Sequence, residues 1–337
     1  MEIKENYNLK KHNTFSIGVN CSLWAASGEE EEWADFLSGK RLLPEEIIIL
    51  GGGSNYLFTD DVEKTVLHSR ISGMEMVAED GEKVYVKAGS GLNWDDFAAW
   101  AVSRGWGGTE NLSLIPGSVG AVPVQNIGAY GVEAEAIVHK IFAIDVCSGK
   151  KVVIPASRCR FAYRDSIFKN EWKNRYFITA VVFKLDKHPR FVLGYGSLRS
   201  ELDKKGAGLS LESVRETIMD IRRSKLPDTD LLPNAGSFFK NPVVGADYAE
   251  ELRKTYPDLS VYPAGEGRAK LGAGWLIEAC GWKGKTLGRA GVYERQALIL
   301  VNRDDATGAE IARLANEIKK SVFMKFKVKL EPEVYIE

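Results

Sequence analysis

Three side chains stand where residue type and neighbours could do chemistry. Arg164 lies in Phe161-Ala162-Tyr163-Arg164-Asp165-Ser166. Its planar fork can grip a carboxylate through two parallel hydrogen bonds; the other reading is a surface or interdomain salt bridge, which is usually structural. Ser237 sits in Asn234-Ala235-Gly236-Ser237-Phe238-Phe239-Lys240-Asn241-Pro242, between a glycine and two large aromatics. That setting predicts a hydroxyl held in a shielded pocket, unless it is a turn serine bonded to its own backbone. No Gly-x-Ser-x-Gly elbow surrounds it, which disfavours a hydrolase nucleophile. Glu333, near the C-terminus, reads alone as an ordinary exposed carboxylate.

Two glycine-rich stretches could position a ligand for such groups. Residues 116–131 carry four glycines, two prolines and no charge. They are too apolar for a solvated loop, and glycine and proline both oppose a regular helix. Bare backbone can approach a flat or anionic ligand closely, with Gln125 and Asn126 adding amide donors and acceptors. A tightly packed turn between domains is the alternative. The second stretch is Gly51-Gly52-Gly53-Ser54-Asn55, which follows the apolar run Ile47-Ile48-Ile49-Leu50. A buried strand ending in consecutive glycines offers several N–H groups in one concavity, a nest for phosphate. Neither a P-loop nor the dinucleotide fingerprint is present, since Tyr56 stands where a third glycine would be required. Gly284-Lys285-Thr286 is a near miss for a P-loop, with Ala279 in place of glycine after a helical run.

The elements that must carry these residues are mixed. Helices are expected over 29–38, from an Asn93 cap to Gly105, over 211–223, and from the capping box Thr307-Gly308-Ala309-Glu310. Strands are expected over 47–50, 65–69, 83–88, 137–146 pairing back with 151–154, 176–185, and 326–330, where apolar residues alternate with Lys325, Lys327 and Lys329. This is an α+β pattern rather than strict βαβ alternation. A boundary is expected near 225, with 228–234 as a linker.

A chain of 337 residues has room for two or three domains. The net charge of −1 gives no basic excess to attract nucleic acid or an anionic membrane. Residues 1–11 are polar, so no secretory signal is expected, and no apolar run approaches the ~20 residues of a membrane span. The four cysteines and four histidines are scattered. That spacing predicts reduced thiols in a cytoplasmic protein and no metal site.

Taken in order, the motifs resemble one family. Gly51-Gly52-Gly53-Ser54-Asn55, Ile115-Pro116-Gly117-Ser118, Gln125-Asn126-Ile127-Gly128-Ala129-Tyr130-Gly131, Tyr163-Arg164-Asp165-Ser166, Ser224-Lys225-Leu226-Pro227, residues 234–242 and Glu331-Pro332-Glu333-Val334 together closely resemble the UDP-N-acetylenolpyruvoylglucosamine reductases. These are flavoenzymes of bacterial peptidoglycan precursor synthesis. Leu193-Gly194-Tyr195-Gly196-Ser197-Leu198 looks like the tyrosine loop of their type I branch. The resemblance covers nearly the whole chain.

It implies a vanillyl-alcohol-oxidase-like (PCMH-type) FAD-binding fold in two subdomains, residues 1–70 with 326–337 and residues 71–225. A smaller α+β substrate-binding domain, 226–325, completes it. It also implies non-covalent FAD against Gly51, Gly52, Gly53, Ser54 and Asn55 and against Pro116, Gly117, Ser118, Gly120 and Ala121, with Gln125, Asn126, Ile127 and Gly128 near the flavin. NADPH is the implied hydride donor and a nucleotide-sugar the implied substrate of a monomeric enzyme. Arg164 and Glu333 would stabilise an enolate and Ser237 would protonate it. Tyr163, Tyr195, Lys225, Asn241 and Gln296 would hold the substrate, the last four at its diphosphate. The family usually has arginine after the Glu-Val of the last motif, where this chain has Tyr335. The alternatives are another flavoenzyme of the same fold and a nucleotide-sugar or flavin-binding protein without catalysis. The first commonly tethers flavin through histidine, and no histidine lies in a flavin-facing stretch.

Overall fold

The computed structural model describes residues 1–206 and 208–337. They form two compact units. The first is Met1–Tyr7, Cys21–Gly52 and Glu63–Arg222; the second is Asn8–Asn20, Gly53–Val62 and Arg223–Glu337. Among the described residues no helix is long and apolar enough to cross a membrane.

The first unit holds two sheets. One runs in the order Glu2–Asn8, Asn20–Ser27, Val62–Ser69, Ile47–Ile49. Ile47–Ile49 pairs in parallel with residues 65–67, so the buried run before the glycines is a strand as expected. Helix Glu30–Lys40 covers it, placing Trp33 and Leu37 against Ile47, Leu67 and Phe177. The other sheet is antiparallel, in the order Lys151–Pro155, Val138–Asp145, Tyr176–Asp186, Lys83–Gly89, Met74–Glu79. Its middle strand, Tyr176–Asp186, is buried nearly throughout. Helix Trp94–Ser103 lays Phe97 and Trp94 on Phe183. Asn93 caps it by accepting from the backbone N–H groups of Asp95 and Asp96.

The stretch 116–131 departs from expectation in one respect. It contains a 3-10 turn, Val119–Ala121, and a single helical turn, Val122–Gln125. Pro123 sits at the start of that turn, where its missing N–H has no helical partner to lose. Asn126 ends it in the left-handed region, at φ 45°.

The second unit contains an antiparallel sheet in the order Asn234–Ser237, Ile299–Asn302, Ala290–Val292, Thr286–Leu287, and a three-stranded sheet of Val243–Gly245, Arg268–Leu271 and Val261–Pro263. Helix Gly308–Phe326 opens on the expected capping box, with Ile311, Leu314 and Ile318 buried. The strand expected over 326–330 is absent. The helix runs on through Phe326 and closes at Lys327, φ 51°. Phe326, Val328 and Leu330 are buried and the lysines between and before them exposed, so the alternation is one of burial without a strand ladder. The last strand is instead Tyr335–Ile336, parallel to Tyr56–Leu57.

Candidate active site

In the first unit the two glycine stretches meet through bare backbone. A Cβ on Gly51 would lie 2.4 Å from Ser118 Oγ, and one on Gly52 would lie 3.1 Å from Gly117 Cα. The 117–121 turn is itself fixed by three amides. Val119 N–H donates to Leu92 O (2.9 Å), Gly120 N–H to Ser90 O (2.9 Å) and Ala121 N–H to Ser118 O (3.0 Å). Pro116 is exposed, and Gln125, Ile127 and Gly128 are half-buried.

Asn126 is the hub that joins this stretch to the Arg164 loop. It is fully buried, and its Nδ2 donates to Glu133 Oε2 (2.9 Å) and Ala162 O (3.0 Å). Its Oδ1 accepts from Glu135 N–H (2.9 Å). Both amide hydrogens are thus committed to the protein, and what residue 126 offers a ligand is its backbone. Ser166 Oγ donates to Val124 O (2.7 Å), a second tie. Between these ties Arg164 is half-buried, donates from Nη2 to Gly128 O, and lies over the Tyr163 ring at 5.3 Å. Asn126, Tyr130 and Arg164 have φ of 45°, 47° and 54°. Strain of about 1–3 kcal/mol per such residue persists only where the surroundings over-determine it, and it concentrates at functional sites.

Tyr195 is exposed, and its ring meets that of Tyr130 edge-on at 6.1 Å. Arg222, a helix-end cation by sequence, is in fact half-buried, and its Nε has no hydrogen-bond partner among the described residues. Burial holds its guanidinium below the ordinary arginine value, opposed by Tyr130 and Asp95 and aided by Arg164. Arg215 grips Asp95 at 2.7 and 2.8 Å. Burial alone would raise the Asp95 carboxyl, but Arg215 and the Leu114 N–H outweigh it and hold it below the usual carboxylate range.

In the second unit the residues around Ser237 form a local framework. Phe238 N–H donates to Leu298 O (2.8 Å), two residues beyond Gln296. On the other side Lys240 N–H donates to Glu331 O (2.9 Å) and Glu333 N–H to Phe238 O (2.8 Å). Ser237 and Glu333, 96 positions apart in the numbering, therefore lie on paired segments. Asn241 Oδ1 accepts from Ala273 N–H (2.9 Å), and a Cβ on the nearby Gly274 would lie 3.0 Å from Gln296 Oε1. Asn241 and Gln296 thus both lie against the first residues of helix Ala273–Ala279. Lys225, the last residue of helix Leu211–Lys225, is exposed and makes no ion pair among the described residues.

Ser237 corrects one expectation, because it is exposed rather than shielded. Phe238 and Phe239 take the buried positions, Phe238 edge-on to Phe15, which leaves the serine side chain outside the core. Its hydroxyl makes no hydrogen bond among the described residues, so it is not a turn serine bonded to its own backbone. Glu333 is half-buried rather than an ordinary exposed carboxylate, and its carbonyl accepts from Asn55 Nδ2 (3.0 Å). Tyr335 stacks on Tyr56 with centroids 5.3 Å apart.

Within the second unit, Gly53 packs closely on backbone. At φ 62°, a Cβ there would lie 2.0 Å from His12 O. Gly53→Ala is expected to cost at least about 2 kcal/mol, from left-handed strain plus a clash with main chain that cannot swing away. Thermal unfolding checks this, and an unchanged midpoint would refute it.

Residues 28–154 match the FAD binding domain family, which places this α+β chain with the flavin-binding proteins. Residues 227–337 match the C-terminal domain family of UDP-N-acetylenolpyruvoylglucosamine reductase. The reductase of that name from Bacteroides fragilis is 45% identical over 98% of this chain and 99% of its own length. That from Burkholderia cenocepacia is 44% identical over 99% and 96%. The chain therefore belongs to the UDP-N-acetylenolpyruvoylglucosamine reductase family. The crystal structure of the Thermus caldophilus enzyme, 21% identical, shares the fold over 99% of this chain and 98% of that one, with a TM-score of 0.67.

Proposed function

We propose that the chain uses NADPH to reduce the enolpyruvyl ether of UDP-N-acetylenolpyruvoylglucosamine, giving UDP-N-acetylmuramate for peptidoglycan precursor synthesis. The observation that carries the chemistry is the pairing of the Ser237 and Glu333 segments, with the serine hydroxyl exposed and uncommitted. In this reading residues 1–70 with 326–337 and residues 71–225 serve the flavin, and residues 226–325 serve the nucleotide-sugar. The enzyme acts as a cytoplasmic monomer.

The residues present fit FAD. Side chains at 51 and 52 would fill the space where Gly117 and Ser118 approach, and backbone there is what a pyrophosphate or a flat ring needs. FAD held along these stretches would supply hydride chemistry, drawing a hydride from NADPH for the terminal carbon of the enolpyruvyl group. Negative charge then collects toward the substrate carboxylate. Arg164, steadied by its bond to Gly128 O, stabilises it. Glu333 polarises the same carboxyl group, its backbone fixed at both N–H and C=O. Ser237 donates the proton that completes the addition; a hydroxyl is a weak acid, but an enolate is a strong base. Tyr163 backs the arginine. Tyr195, Lys225, Asn241 and Gln296 hold the diphosphate, Lys225 as a point cation.

The test is an anaerobic spectrum. NADPH should bleach the yellow protein, and the UDP-enolpyruvyl sugar should restore the colour. Bleaching without recovery would refute the substrate. A colourless protein that FAD cannot reconstitute would refute the reading of both glycine stretches.

A further inference from the structure

Asn111 is buried in the 3-10 turn Glu110–Leu112 and carries no role so far. Its Nδ2 donates to Tyr130 O (2.9 Å) and to Val192 O (2.8 Å). Its Oδ1 is buried without a partner among the described residues. One amide group thus spends both hydrogens joining two places. The first is the hairpin turn between Gly128–Ala129 and Val132–Glu133, at the strained Tyr130. The second is the segment 188–197, which contains no helix or strand and carries Tyr195.

The backbone of that segment has little else to hold it. Among the described residues, the bond from Asn111 is the only hydrogen bond to or from the backbone of residues 188–194. Phe191 and Leu193 add apolar contact with the cluster of Leu198, Leu202, Val214 and Ile218, while Val192 and Tyr195 stay exposed. The same amide orders the turn whose tyrosine meets the Tyr195 ring edge-on. A buried amide kept with its oxygen unsatisfied is costly unless its donors do something specific.

We propose that Asn111 is a positioning residue for substrate binding. Its amide sets segment 188–197 against Tyr130 and so pre-seats Tyr195 for the nucleotide-sugar diphosphate, an inference that rests on the role given to Tyr195 above. Pre-seating lowers the ordering cost of binding, so its loss appears in KM rather than in the flavin chemistry.

The test uses the FAD-loaded full chain, as Asn111→Ala and as the isosteric Asn111→Asp, which presents oxygen to both carbonyls. Tryptic cleavage after Arg190, exposed within that segment, should be at least about tenfold faster, with cleavage in the remainder of the unit unchanged. KM for the UDP-enolpyruvyl sugar should rise about tenfold or more, with FAD content and the rate of bleaching by NADPH as in the parent. Unchanged cleavage after Arg190 in the variant that folds would overturn the proposal. Faster cleavage with unchanged KM would overturn it too, and Tyr195→Phe then locates the fault. If Tyr195→Phe raises KM, Asn111 alone is misread; if it does not, the Tyr195 reading fails as well.

Discussion

Ser237→Ala is expected to give a yellow protein that NADPH bleaches at the parent rate and that the nucleotide-sugar re-oxidises about 10²–10⁴-fold more slowly, the usual contribution of a positioned proton donor. The structure makes this a clean substitution. The hydroxyl is exposed and makes no hydrogen bond among the described residues, so its removal leaves neither a cavity nor an orphaned partner. Phe238 and Phe239 keep their buried places, and the pairing of Phe238 with Leu298 and Glu333 runs through backbone atoms that alanine retains. Stopped-flow absorbance in two mixing steps separates the half-reactions. Re-oxidation by the sugar at the parent rate would remove Ser237 from the mechanism, and loss of the first half-reaction would show damage unrelated to proton donation.

Arg164→Lys should lower turnover about 10²–10³-fold, the scale for losing one preorganised donor at a developing oxyanion. Arg164 donates from Nη2 to Gly128 O, and in the proposed role the same planar group also meets the substrate carboxylate. A lysine is a single point charge and cannot do both. Held to the Gly128 carbonyl it abandons the substrate; swung to the substrate it releases the Gly128 turn. The backbone at φ 54° is as strained for lysine as for arginine, so folding is little altered. Turnover is compared with retained FAD after gel filtration. Loss of FAD with turnover intact per bound flavin would make the arginine structural.

Local signals were legible where a residue type answers a backbone need directly. Asn93 caps its helix and Thr307 with Glu310 forms a reciprocal box, because a short side chain at that spacing has few other uses. The long strand Tyr176–Asp186 announced itself by a continuous apolar run. The strands of residues 243–302 did not, since each spans only two to four residues, too few for a period to show. Met74–Glu79 is an edge strand with no fully buried position, so it carries no alternation at all. Ser237 was singled out as a candidate for its neighbours, but its exposure depends on how residues 237–239 lie against the core, which flanking aromatics do not reveal. Asn111 left no sequence signal. Its partners stand 19 and 81 positions away, and a buried asparagine between Glu110 and Leu112 reads as nothing until the chain is folded.

The pairing of Tyr335–Ile336 with Tyr56–Leu57 bears on how this chain is born. The hydrogen bonds from Asn55 and Thr59 reach carbonyls 278 positions ahead. The framework around Ser237 needs Glu331 and Glu333 as neighbours. The second unit is thus assembled from segments far apart in the chain, and closing so long a loop cannot begin until residues 331–337 have been made. Most residues of the first unit lie in 63–222, so it can order itself earlier. A nascent chain stalled before residue 331 would therefore hold the close approach of residues 51–52 to 117–118 but lack the partners that frame residues 238–240, and its residues 53–62 would wait on the ribosome as an unpaired edge for chaperones to guard.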